Sequence, residues 1–134
     1  MATEENKALV RQLFEDVINP GDLDRAGTLV ATDFVEHNPM PDQAPGLAGF
    51  KQVVTSLRAA FPDFHLTTDE LVAEADLVSV RLTARGTHQG VFQGIPPTGR
   101  RVAWEGISML RITDGKITER WFHADVLGLR KQLA

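Results

Sequence analysis

Cysteine is absent from the 134 residues of this chain, which excludes disulfides, thiol nucleophiles and cysteine-bound metals. Tyrosine is absent too, so any phenolic donor that a site would use must be replaced by imidazole, amide or water. No apolar run approaches the roughly 20 residues that span a bilayer. There is no basic run either, and the formal net charge is -4, which argues against nucleic acid as a partner. The opening Met1-Ala2-Thr3-Glu4-Glu5 is acidic where a signal peptide would be basic and then apolar. A cytoplasmic setting without a membrane partner is therefore expected. What the chain does contain is 43% hydrophobic and 24% charged residues, ordinary values for one globular domain spanning 1–134.

Leu9, Val10, Leu13, Phe14, Val17 and Ile18 recur at helical spacing, behind Thr3 as N-cap and Glu4 and Glu5 in the first turn. Asn19-Pro20-Gly21 ends that helix, and Asp22 caps a short second one from Leu23 to about Ala31. Phe34 to His37 reads as extended, and the loop from Asn38 to Pro45 is broken by Pro39, Pro41 and Pro45. A third helix carries Leu47, Phe50, Val53, Val54, Leu57 and Phe61 on one side and stops before Pro62. Four strands follow: Phe64 to Ala73, Leu77 to His88, Arg101 to Thr113 and Lys116 to Asp125, with Asp114-Gly115 as a hairpin turn. Helices first and antiparallel strands after predict an α+β domain, a curved sheet packed around the helices.

Strict alternation along the last strand puts Trp121, His123 and Asp125 on one face. A carboxylate enclosed beside an indole would resist ionisation and exchange protons near neutral pH. A competing reading makes Asp125 the N-cap of the tail that follows it. Val78, Val80, Leu82 and Ala84 share a face of the second strand, and continuing the alternation brings His88 to the same side. His88 is then either an inner-face residue or part of the loop beyond. His37 points into the core or sits on an Asn-Pro turn, and His65 faces solvent. On the third strand both faces carry apolar residues, Ile107 and Met109 beside Glu105 on one and Trp104, Gly106 and Ser108 on the other, so its inward side stays open. The histidines lack metal-ligand spacing, no serine sits in a nucleophile elbow, and no glycine-rich loop opens a helix. Metal-free acid–base chemistry or passive binding remains.

Phe61-Pro62-Asp63-Phe64, Gly86-Thr87-His88-Gln89-Gly90 and Gly94-Ile95-Pro96-Pro97-Thr98-Gly99 occur in order along the chain. They are followed by Gly106-Ile107-Ser108, Asp114-Gly115-Lys116-Ile117, Glu119-Arg120-Trp121 and Asp125-Val126-Leu127-Gly128-Leu129. With His37-Asn38-Pro39, this ordered set resembles the SnoaL-like polyketide cyclases and the related ester cyclase group over nearly the whole length. The resemblance implies the cone-shaped α+β barrel of the nuclear transport factor 2-like superfamily, with a deep apolar cavity and an outer sheet face that forms homodimers or homotetramers. It also implies aldol-type ring closure without cofactor and assigns the family's acid–base aspartate to Asp125.

The expected site therefore has Asp125 as general base and acid. His37, Asn38, His88 and His123 are its hydrogen-bond donors, and Phe34, Phe61, Trp104, Met109 and Trp121 its apolar lining around a hydrophobic carbonyl compound. No metal or cofactor is expected. Isomerisation or dehydration on the same machinery, a limonene-type epoxide hydrolase, and a ligand-binding protein without chemistry are the alternatives.

Overall fold

The helical spacing of residues 9–18 closes into helix α1 over Ala2–Gln12 and then widens into a π-helical segment over Leu13–Ile18. The structure, a computed structural model, describes residues 2–134; Met1, the first residue of the acidic opening, lies outside them. The wide turn shows in the bond from Asn19 N–H to the Phe14 carbonyl at 2.9 Å, five residues back. Such bulges re-aim side chains, and here Phe14 and Ile18 both reach the cavity described below. Helix α2 covers Leu23–Leu29, with Asp22 as the expected cap accepting from Arg25 N–H at 3.3 Å.

Strand β1, Val30–Glu36, is longer than the brief extended piece expected around Phe34. Helix α3 runs Gly46–Ala60, and then come β2 (His65–Glu74), β3 (Leu77–Thr87), β4 (Arg101–Thr113) and β5 (Lys116–Ala124). Helix α4, Val126–Leu133, closes the chain. The β4–β5 turn places Asp114 at φ 52° and Gly115 at φ 76°, the two positive values a type I′ hairpin demands. In the sheet the strand order is β1-β5-β4-β3-β2. The β2 to β5 neighbours are antiparallel as expected, but β1 joins β5 in parallel, which makes the curved sheet mixed.

The inner face of the sheet carries Val78, Val80, Leu82 and Ala84 from β3 and Val102, Trp104, Leu110 and Ile112 from β4. They bury against Val10, Leu13, Phe14 and Val17 from the first helix and Phe50 and Val54 from α3. None of the helices among the described residues is long and apolar enough to cross a membrane.

One irregularity decides which side chains look inward. On β5 the buried positions are Ile117 and then Arg120, three apart rather than two. Opposite them the register passes from Ile112↔Ile117 directly to Arg111↔Glu119, so Thr118 is an extra residue in the ladder. A bulge of this kind exchanges the two faces of everything beyond it. Unbulged, β5 would have kept Trp121, His123 and Asp125 on the side of Ile117. The bulge sends Trp121 and His123 outward instead and turns Arg120, Phe122 and Ala124 inward.

Candidate active site

Between α3, the inner face of the sheet and the loop after β1 lies a cavity of about 280 Å³. Its walls are apolar for the most part: Phe14, Phe50, Leu57, Phe64, Trp104 and Phe122 among them. Two charges interrupt the apolar surface. Glu36, from the end of β1, and Arg120, from β5, are paired in the register of the parallel ladder. Arg120 donates to Glu36 Oε1 through Nε at 2.7 Å and through a terminal guanidinium nitrogen as well. Their side chains are 6% and 9% exposed. Arg120 also lies over the rings of Phe50, at 5.6 Å, and Phe122, at 5.4 Å, so cation–π attraction holds the guanidinium in place. Glu36 Oε2 is buried without a hydrogen-bond partner among the described residues, and the same holds for Ser108 Oγ on β4. Both residues line the cavity, and Glu36 is its one carboxylate among the described residues.

The expected site residues are scattered by this geometry. Asp125 is exposed and outside the lining; its Oδ1 accepts from Gly128 N–H at 2.9 Å and caps α4, which is the second of the two readings of that residue. The cap follows from the chain's path, since Ala124 and Val126 on either side face the cavity while Asp125 turns to the helix's free amides. His123 is exposed opposite Ile107, and Met109 pairs with Trp121 on the outer face, so none of these three lines the cavity as expected. His37 is a further correction: it stacks on Trp121 outside, with ring centroids 4.4 Å apart, and Nε2 lies 3.0 Å from Glu119 Oε1.

His88 does continue the inner face of β3, fully buried, but it is not in the cavity wall. Thr98 N–H donates to its Nδ1 at 3.2 Å, so the ring fastens the 88–100 loop. Phe61, packed against Trp104, His88 and Phe92, supports the wall from behind. Phe34 meets Phe50 edge-on and lines a neighbouring, more open cleft rather than the cavity. Of the expected lining, Trp104 and Asn38 are in place. Asn38 Oδ1 accepts from Phe122 N–H at 2.9 Å and ties the loop to β5. The open question on β4 is settled by burial: Trp104, Gly106 and Ser108 face in and Glu105, Ile107 and Met109 face out.

Glu36, Arg120, Ser108 and Phe122 were missed in the sequence. Ser108 follows from even spacing with Val102, Trp104, Leu110 and Ile112 once that face is known to be the inner one. The β5 pair had no local signal, because Thr118 is an ordinary strand residue. No cluster of three or more His, Asp or Glu suited to a metal ion occurs among the described residues.

Residues 8–133 match the family model described as SnoaL-like polyketide cyclase. Aklanonic acid methyl ester cyclase DnrD of Streptomyces peucetius is 34% identical over 131 residues, which span 93% of this chain and 88% of that protein. Among solved structures, IdmH of Streptomyces antibioticus, a candidate polyketide cyclase, superposes with a TM-score of 0.83 at 34% identity, covering 96% of this chain and 97% of its own. AclR of Streptomyces galilaeus, a candidate hydroxylase, gives 0.85 at 33% identity over 98% of this chain and 82% of that one.

Proposed function

Because the chain belongs to the SnoaL-like polyketide cyclase family, we propose that it closes a ring in a hydrophobic carbonyl compound by intramolecular aldol condensation, with Glu36 rather than Asp125 as the base. A polyketide-derived ester of the kind named for DnrD is the model substrate. The observation that carries the reading is the buried Oε2 of Glu36, without a hydrogen-bond partner among the described residues, on a residue that lines an apolar cavity.

The chemistry needs no partner beyond the substrate. Arg120 occupies Oε1 and fixes the carboxylate's orientation, leaving Oε2 toward the substrate. Oε2 takes the proton from a carbon flanked by two carbonyls, which is acidic enough for a carboxylate to remove. The electron pair moves onto a carbonyl oxygen, and the α-carbon then bonds to a second carbonyl carbon. The alkoxide so formed recovers the proton from Glu36. An apolar wall that folds a flat substrate so that its ends meet contributes the proximity term.

With aklanonic acid methyl ester as substrate, Glu36→Gln is expected to lower turnover by about 10²-fold or more, the usual reach of general-base catalysis. Asp125→Asn, which keeps a capping side chain, is expected to leave turnover unchanged. Wild-type turnover that survives Glu36→Gln and disappears in Asp125→Asn would return the base to Asp125. A passive ligand-binding role is the second reading, favoured by the position of Asp125 outside the cavity; it predicts uptake of the ester with no product.

A homodimer through the outer sheet face belongs to the same proposal. Ile107 is 56% exposed there, Met109 40% and Val35 46%, an apolar area that a second copy would cover. Ile107→Lys should shift sedimentation toward the monomer.

A further inference from the structure

Ser108 sits mid-strand on the inner face of β4, registered between Val80 on β3 and Phe122 on β5. It is 1% exposed, it lines the cavity, and its hydroxyl has no partner among the described residues. Buried hydroxyls are almost always hydrogen-bonded, and an exception calls for a physical reason. Neighbours do not supply one, since Val80 and Phe122 are apolar and Gly106 brings no side chain.

Among the cavity's other polar side chains, the amide oxygens and one oxygen of Glu36 are engaged. Gln43 Oε1 accepts from Met40 N–H at 2.9 Å, Gln93 Oε1 accepts from Arg130 at 3.3 Å, and Asn38 and Glu36 Oε1 are held as described. Two buried polar side-chain atoms of the lining stay free: Glu36 Oε2, an acceptor, and Ser108 Oγ, a donor. Arg120 lies opposite Leu110, so Ser108 is its diagonal neighbour on the same face, at the roughly 7–8 Å typical of such pairs. Arg120 in turn pairs with Glu36 on β1, so Ser108 and Glu36 are two polar residues of one cavity lining.

We propose that Ser108 is a catalytic residue that donates its hydroxyl hydrogen to the substrate's carbonyl oxygen, and that this contact selects ketones over hydrocarbons of the same shape. The proposal rests on the reading of the cavity as a carbonyl site. When the α-proton leaves for Glu36, negative charge gathers on the oxygen that Ser108 faces, and a donor already aimed there needs no reorganisation. The same contact explains the unpartnered hydroxyl: it is kept for the ligand at some expense to the free protein.

The test uses 2-acetylnaphthalene carrying a ¹³C carbonyl, followed by infrared spectroscopy when bound and by quenching of protein fluorescence, to which Trp104 in the wall contributes. In the wild type the bound carbonyl stretch should lie below its value in an apolar solvent. In Ser108→Ala that displacement should vanish and the ketone should bind about 5–10-fold more weakly, the loss of one neutral hydrogen bond. Binding of 2-ethylnaphthalene should be equal in the two proteins. Melting of Ser108→Ala should occur no lower than in the wild type, because a group without a partner is removed.

Equal carbonyl stretches in wild type and Ser108→Ala would overturn the proposal. So would a marked drop in melting temperature, which would make the hydroxyl structural, or failure of the wild type to take up the ketone. Glu36→Gln separates the two readings. It should keep the displaced stretch while losing turnover, so a variant that keeps both defeats the base assignment and leaves Ser108 standing.

Discussion

Replacing Arg120 by methionine would strand Glu36 as a charge in an apolar wall, and the size of the penalty follows from the geometry. At 2.7 Å and an effective dielectric constant of about 20, the attraction between the two charges is about 6 kcal/mol. Much of that is offset by the several kcal/mol lost when each ion leaves water. Removing one partner exposes the desolvation without its compensation, about 3–5 kcal/mol for a buried pair. For a chain of this length that corresponds to a melting temperature about 10–18 °C lower. Glu36→Gln keeps an acceptor for the guanidinium and should cost less, about 2–3 kcal/mol. The double variant, with neither charge, should sit well above the sum of the two losses. Urea unfolding of wild type, both single variants and the double completes the cycle, with an expected coupling of about 2–4 kcal/mol. Additivity within about 0.5 kcal/mol would mean that the two side chains act independently, and the inward, desolvated placement derived from the β5 bulge would be wrong.

Three further outcomes are expected. Asp125→Ala should cost about 1 kcal/mol in urea unfolding and Asp125→Asn a few tenths, because only the first removes the acceptor for Gly128 N–H. Deleting Thr118 would remove the bulge and restore strict alternation with Glu119 outward and Arg120 inward beyond Ile117, so the native near-ultraviolet signal of the aromatic core should survive, whereas adding one further residue there should abolish it. Thr87 donates to Asp63 from its backbone N–H at 2.6 Å and its hydroxyl at 2.7 Å, and these bonds hold the Asp63 carboxyl below the usual aspartate range. Its contribution is therefore present above the unfolded pKa and is lost as pH falls through the depressed folded value. Asp63→Asn should flatten that acid limb of the stability curve, measured by urea unfolding between pH 5 and pH 2, to about the extent of an exposed hydrogen bond.

Most of the architecture was written locally. The apolar spacing of residues 9–18, the Asp22 cap, the proline-broken loop and the Asp114-Gly115 turn each act within a few residues, and apart from β1, which starts four residues before Phe34, the structure places the strands within a residue or two of their expected bounds. Alternation on β3 carried as far as His88, which is buried as its parity requires. The family followed from ordered short motifs, which need no knowledge of direction or depth.

Which side chains meet in the cavity was decided elsewhere. A strand's alternation fixes who shares a face, but one inserted residue exchanges the faces, and Thr118 has no composition to announce it. That single insertion separates the Trp121, His123 and Asp125 face expected at the site from the Arg120, Phe122 and Ala124 face that lines it. Glu36 could be placed beside Arg120 only once β1 was known to lie parallel to β5, a contact between residues 84 positions apart. Periodicity, capping and turns are properties of neighbouring residues and can be read along the chain. Face and enclosure depend on ladder register between distant segments, and only the folded sheet determines them.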